Sequence, residues 1–245
     1  MPIISLDAAD ASTLIFGEFL IWKTRANLEK NPRVAVIVVT ENLETWTIKG
    51  RFRCFEAAGP FVEALNQKQM FRYNAYVGIR RAAVIDVEEV TNSQKMVKLA
   101  LIADLLRVKF VSRLAGLLGK VHIPDRVAEK FARLQAVKVI AFRGQDGYPR
   151  IVPVLSLMPS RAANMIFRSG TYASQLQELL SGSRIAASVL TMEPLAYQVK
   201  GVYVGPKLTP LGSMEQLRID EVYSASPPLS GQRIELQTYN LPSGP

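Results

Sequence analysis

Histidine and cysteine are almost missing from this chain of 245 residues, which has one of each, His122 and Cys54. A single cysteine excludes an internal disulfide. One His and one Cys cannot build a His- or thiolate-based metal centre, so no metal site is expected. A Ser-His-Asp triad would have to use His122, which lies beside Pro124 in what reads as a linker, and no triad is assigned. Catalytic side chains therefore stay unknown, and reactive chemistry is expected from a bound cofactor. No apolar run approaches the ~18 residues that a membrane span needs. The N-terminus has no basic stretch before its first apolar residues, so no signal peptide is expected and the expected location is cytoplasmic. The net charge of +9 is spread evenly, with no basic arm or tail. A phosphate-bearing cofactor accounts for it as well as nucleic acid does, and no nucleic-acid partner is assigned.

What the chain does have is an ordinary globular composition, 49% hydrophobic and 21% charged, and an internal repeat. Laid on itself with Pro2 on Pro153, PIISLDAADASTLIF falls on PVLSLMPSRAANMIF. Arg33-Val34-Ala35 falls on Arg184-Ile185-Ala186, Thr40 on Thr191, and Lys49-Gly50 on Lys200-Gly201. The register holds from residue 2 to residue 51 without a gap. A unit of this length repeated twice is a duplicated domain, not a solenoid.

The local patterns are mostly those of strands. Ile3–Leu6 and Thr13–Phe16 read as a hairpin around Asp7–Ser12. Arg25–Lys30 reads as a short helix stopped by Asn31-Pro32. Arg33–Thr40 is a β-branched run, expected to be a strand buried on both faces. Thr45–Phe55 and Ala82–Val90 are further strands, with a helix at Pro60–Met70 and a polar loop at 72–81. Residues 95–119 read as one long amphipathic helix or two shorter ones, packed on a barrel or lying on a membrane surface. A second helix is expected at Arg126–Leu134. Asp146-Gly147 then marks a hairpin at 137–152. Past Gly201 a Gly/Pro-rich excursion leads to a strand at Gln216–Tyr223. The expected fold is mainly β, two tandem split β-barrels with accessory helices. The expected domains are 1–94, a helical connector 95–134, and 135–245. The hairpin at 137–152 has no counterpart in the first copy, so that barrel lacks its opening strand. The expectation is that the native chain starts further upstream, or that another segment fills the gap.

These motifs resemble the FMN-binding split barrel of the pyridoxamine 5′-phosphate oxidase-like superfamily. The carriers in the second copy are DG-x-PR-x-VPV, a strand ending in Ile-Phe, GSRIAASVL and QVKG. In the first copy they are LIF, a Lys-bearing loop and helix, NPRVAV and TIKG. The resemblance implies FMN between two barrels, from a homodimer or from an intrachain pairing of the copies. It places the phosphate on the loop and helix after the Ile-Phe strand, which here means Lys23, Thr24, Arg25 and Asn27. Lys and Arg suit a phosphate dianion, and a helix N-terminus adds N–H donors. The second copy has Ser174, Gln175 and Leu176 at the positions of Lys23, Thr24 and Arg25. Its loop offers Arg168, Ser169, Thr171 and Ser174 instead, so one strong and one weak or lost site are expected.

The flavin ring is expected near Pro153, Val154 and Leu155 and near their counterparts Pro2–Ile4. Trp46 and Tyr197 match each other and are candidates to pack on the ring. Lys49 and Lys200 are candidates for a phosphate or a ring oxygen. Tyr73, Asn74, Tyr76 and Arg80, beside Gly78, are the candidate contacts to a small-molecule substrate. The function read from all this is an FMN-binding oxidoreductase with unknown substrate. The alternatives are a non-catalytic flavin-binding or sensing module and a reductase using deazaflavin F420. Haem handling is weaker, because His122 is the only imidazole.

Overall fold

A computed structural model describes residues 3, 5–18, 21–68, 78–91, 93–191, 195–225 and 231–236. The fold is mainly β, two tandem split β-barrels with accessory helices, the first lacking its opening strand. Two compact units divide the chain: residues 1–94 with the turn Asp146–Pro149, and residues 95–145 with 150–245.

Unit 1 contains β1 (Asp7–Asp10), β2 (Thr13–Gly17), α1 (Trp22–Lys30), β3 (Arg33–Val39), β4 (Glu44–Glu56), α2 (Pro60–Gln67) and β5 (Ala82–Val90), and the two-residue β6 (Gln94–Lys95) follows at its boundary. Its sheet runs β1-β2-β5-β4-β3, antiparallel throughout. Unit 2 opens with α3 (Lys98–Leu118) and α4 (Asp125–Ala132). Then come β7 (Val137–Arg143), β8 (Pro149–Pro153), β9 (Met158–Ser160), β10 (Asn164–Phe167), a 3-10 turn (Gly170–Leu176), β11 (Arg184–Leu190), β12 (Ala196–Thr209), β13 (Gly212–Ser224) and β14 (Arg233–Ile234). The sheet order is β8-β7-β11-β12-β13-β10-β9, with β14 on β13.

The repeat seen in the sequence is a repeat of hydrogen-bond register. Arg33 pairs with Arg51 and Ala35 with Lys49; in unit 2 Arg184 pairs with Val202 and Ala186 with Lys200. Thr13 pairs with Asp86 and Phe16 with Ala83, answered by Asn164 with Arg218 and Phe167 with Glu215. Even the irregularities recur. β4 is bulged between Lys49 and Gly50 and between Phe52 and Cys54, and β12 between Lys200 and Gly201 and between Tyr203 and Gly205. The units part company only after the long strand. Unit 1 makes an excursion through α2, while unit 2 turns at once through Pro210-Leu211.

In unit 1 the central strands β2 and β5 are buried on both faces, Ile15, Ala82 and Val84 packing with Leu65 of α2 on one of them. In unit 1, Leu14, Phe16 and Ile85 form a core with Val34, Val36, Ile48 and Phe52, and Ile21 and Leu28 of the α1 segment close over it. In unit 2, Ile140 and Phe142 of β7 lie on the same face as Ala187 and Ile185 of β11, all buried. Helix α3 packs Val108 with Leu105 and Val111 against Met158, Ile166 and Met214.

Four local readings change. β3 is half-buried, not buried on both faces, because it is the last strand on its sheet's path. Its counterpart β11 is covered on that side by β7, for which the described residues of unit 1 provide no equivalent. The first hairpin uses Asp7–Asp10 as its strand, and Ile3, Ser5 and Leu6 precede it, Ile4 lying outside the described residues. The Asp10 carboxylate accepts from both the Ser12 N–H and the Ser12 hydroxyl at 2.8 Å, which confines the turn to two residues. Helix α1 begins at Trp22 rather than Arg25; Ile21 just before it and Leu28 within it both reach the core. β12 runs on past Gly201 to Thr209, because Gly205 sits at a bulge with φ of +111° and lets the strand bend.

The shared glycine has a packing reason. A Cβ on Gly201 would sit 1.9 Å from the Arg218 carbonyl oxygen, and one on Gly50 would sit 2.4 Å from the Asp86 carbonyl oxygen. Both carbonyls belong to the neighbouring strand, which cannot retreat without breaking its ladder. Gly201→Ala is expected to lower the urea midpoint of unit 2, at a cost of about 1–3 kcal/mol typical of overpacking. An unchanged midpoint would show that β13 can move aside.

Candidate functional site

In unit 1 the β2-to-α1 passage carries the candidate anion residues. The Gly17 N–H donates to Ser5 Oγ at 2.9 Å and the Glu18 N–H to the Arg81 carbonyl at 2.8 Å, fixing where β2 ends. The chain then enters α1 with no side-chain cap at Ile21. Lys23 and Thr24 stand in the first helical turn and are half-buried, and Asn27 is exposed one turn on. The Arg25 N–H already bonds to the Ile21 carbonyl at 2.8 Å, so the turn closes there. The Arg25 side chain is a brace. Its Nε donates to Glu29 at 2.9 Å and its Nη1 to Glu18 at 3.1 Å, and its guanidinium lies 5.5 Å from the Phe55 ring centroid.

Lys49 is similarly engaged. It is buried, and its Nζ lies 3.0 Å from Glu89 and 2.9 Å from Asp146, whose turn belongs to this unit. Two carboxylates hold one ammonium, so any added anion must compete with both. Trp46 lies three residues before Lys49 on β4 and faces the other side of the sheet, with Ile48 and the core. The two therefore do not act on one ligand from one face. Arg80 is exposed, next to buried Ile79. Tyr73, Asn74 and Tyr76 lie outside the described residues.

The matching passage of unit 2 is filled by its own carboxylates. Asp104 of α3 is buried, and its Oδ1 lies 3.0 Å from Arg168 Nε. The Arg168 Nη1 donates to the Leu211 carbonyl at 3.2 Å. Ser169 Oγ donates to Glu215 at 2.7 Å, and the Tyr203 hydroxyl donates to the other oxygen of the same buried carboxylate. Burial first, and Glu215 second, push the Tyr203 hydroxyl well above its ordinary pKa and keep it a donor. Thr171 and Ser174 fall in the 3-10 turn, where Ser174 is exposed. Pro153 and Val154 are buried, and the Val154 N–H already donates to the Lys138 carbonyl at 2.8 Å. Lys200 stands 5.1 Å from the Tyr223 ring centroid, a cation–π contact. His122 is half-buried in the passage from α3 to α4, its N–H on the Ala162 carbonyl at 2.9 Å.

One residue of chemical interest went unnoticed in the sequence. Lys138 is 0% exposed, and its Nζ has no hydrogen-bond partner among the described residues. Burial alone pushes its pKa down to about 7, so near neutrality it is partly an uncharged amine. It sits on the inner face of β7 in a rung with Val189 and Tyr197. The signal was present in the alternation of VKVIAF, which puts Lys138 on the face of Ile140 and Phe142. A buried unsatisfied ammonium in a core strand marks either a strain reservoir or a group awaiting a partner.

The pH dependence follows from the sign of that shift. The unfolded lysine keeps its proton to about 10.5, while the folded one releases it near 7. Between those values the unfolded state holds more protons, so stability rises with pH by up to about 1.4 kcal/mol per unit. Lys138→Met is expected to raise stability at pH 7 and to remove this slope, as read by urea denaturation across that window. A wild-type profile flat over the same range would mean that Nζ finds a partner in solution.

No protein-family model and no curated protein matches the chain. Among solved structures, it is similar to HupZ of Group A Streptococcus at 12% identity, over 46% of this chain and 99% of that one, with a TM-score of 0.39. A histidine-to-alanine variant of HupZ aligns at 21% identity over 38% of this chain and 76% of that one, with a TM-score of 0.32. Likenesses this distant decide nothing about what the chain does.

Proposed function

We propose that the chain binds FMN and acts as a flavin-dependent oxidoreductase on a small-molecule substrate, with one phosphate site, in unit 1. The observation that supports this is the first turn of α1. It is the next element after the Ile-Phe strand, has no side-chain cap, and carries Lys23 and Thr24. The donor set suits a phosphate dianion: an ammonium, a hydroxyl, and backbone N–H groups at the positive end of a helix dipole. Arg25 belongs to the frame of this site rather than to its ligand contacts, since it holds Glu18 and Glu29.

Unit 2 does not suit a second phosphate. Its loop cation Arg168 is paired with Asp104, and Glu215 takes up Ser169. Two buried carboxylates beside the loop repel a dianion. In this reading the two copies have diverged in charge while keeping one register.

Bound FMN would supply hydride and single-electron transfer, which the side chains of this protein cannot. The chain's own tasks are to neutralise the phosphate through Lys23, to donate to it through Thr24, and to keep water from the ring. The exposed Arg80 offers a cation to an anionic substrate. Asn27, Trp46, Lys49, Lys200, Pro153 and Val154 stay as secondary candidates for contact with the cofactor.

Fluorescence titration of the purified chain with FMN tests the site. Lys23→Ala is expected to weaken binding by about tenfold or more, the loss of one charge-assisted hydrogen bond. Arg168→Ala, in contrast, is expected to leave FMN affinity within about twofold. Loss only in the second would move the site to unit 2, and equal loss in both would overturn the single-site reading. Bleaching of the flavin bands by NADH or NADPH, with turnover on an added acceptor, separates an oxidoreductase from a binding module. Retention of deazaflavin F420 instead of FMN would replace the cofactor in this proposal.

A further inference from the structure

Helix α3 is apolar on two opposite sides. The inner side, with Leu101 and Val108, is buried on its own unit. The outer side is not. Leu99, Ile102, Leu106, Phe110 and Leu117 follow one another at spacings of three, four, four and seven residues, the repeat of a single helix stripe. Their exposures run from 52% at Ile102 and Phe110 to 84% at Leu117. Leu118 at the helix end is 75% exposed. A row of large side chains left in water along one helix is a contiguous patch, unlike the scattered single leucines of an ordinary surface.

The charges around the stripe have one sign. At 3.6 residues per turn, Lys98 and Lys109 border it on one side and Arg107 on the other, and Arg113 stands within it. Between Lys95 and Lys120 the sequence has a single acid, Asp104. That residue faces inward, 6% exposed, and is paired with Arg168 and, at 3.7 Å, with Arg107, whose side chain is still half exposed. The exposed side of α3 therefore carries cations and hydrocarbon and no carboxylate.

We infer that α3 docks this protein onto the surface of an anionic phospholipid bilayer, lying in the plane of the interface. The stripe would enter the boundary between headgroups and acyl chains. The flanking Lys and Arg side chains are long enough to reach back to headgroup phosphates. The helix lies on the membrane and does not cross it: no helix among the described residues is long and apolar enough to span. Charge complementarity selects this occupant over a second copy of the chain. Packing α3 against its equal would bring Lys98, Lys109 and Arg113 against like charges with no acid on either stripe to pair them, whereas an anionic surface meets these cations at once. This docking is independent of what unit 1 binds.

Co-sedimentation of the full chain with vesicles tests the inference. With phosphatidylcholine vesicles containing phosphatidylserine, the protein is expected in the pellet. With phosphatidylcholine alone, binding is expected to be more than about tenfold weaker, and high salt is expected to release the anionic-vesicle complex. Because the stripe is exposed, the double substitution Leu106→Glu with Phe110→Glu should leave the thermal melt unchanged and abolish sedimentation. Arg113→Glu should weaken it. Wild-type protein remaining in the supernatant with anionic vesicles would overturn the proposal, as would a double variant that binds like wild type. A wild-type dimer in light scattering that the double variant splits, without vesicle binding by either, would assign the stripe to self-association instead.

Discussion

Two carbonyl oxygens pressed against two glycines hold the pattern on which the fold depends. At Gly50 and at Gly201 the neighbouring strand comes so close that no side chain fits between. The close approach coincides with the first bulge of the long strand in each unit. A second bulge follows in each, and the two together let one strand bend far enough to pair along both its edges. β4 thus joins β3 to β5, and β12 joins β11 to β13. The rest of each sheet follows from where that strand bends. The Lys-Gly pair common to both copies is best understood this way: the glycine is structural, and the lysine before it points to the other face.

On this shared frame the two units distribute charge differently. Unit 1 ties Arg25 to Glu18 and Glu29, and Lys49 to Glu89 and Asp146, but leaves the first turn of α1 without a side-chain cap. Unit 2 places Asp104 and Glu215 beside the equivalent loop. Burying carboxylates there requires cations or hydroxyls close by, and Arg168, Ser169 and Tyr203 supply them. In this copy the loop after the Ile-Phe strand is engaged by its own carboxylates. Lys138 is the counterexample, a buried amine whose Nζ has no hydrogen-bond partner among the described residues.

Helix α3 links these themes. Its inner side supplies both hydrophobic cover for β9 and β10 and the carboxylate that engages Arg168. Asp104 is buried for that reason, and its withdrawal leaves the outer side wholly cationic and apolar. One residue's placement therefore shapes the charge of two surfaces.

The sequence by itself determined the duplication and the mainly β fold. Register is carried by spacing and by short apolar patterns, which are local and additive, so they survive in the letters. It also located the α1 passage, though it began the helix three residues late, because nothing local reveals that Ile21 is needed in the core. Only the tertiary structure decided which charges are available. Arg25, Lys49 and Arg168 look alike as cations in a sequence; apart from Glu29, one helical turn from Arg25, their partners Glu18, Glu89, Asp104 and Asp146 stand seven to 97 residues away. It likewise decided that Lys138 is buried, that β3 is an edge, and that α3 has a second apolar side facing water. Burial and pairing are properties of what arrives from elsewhere in the chain, and no local pattern records them.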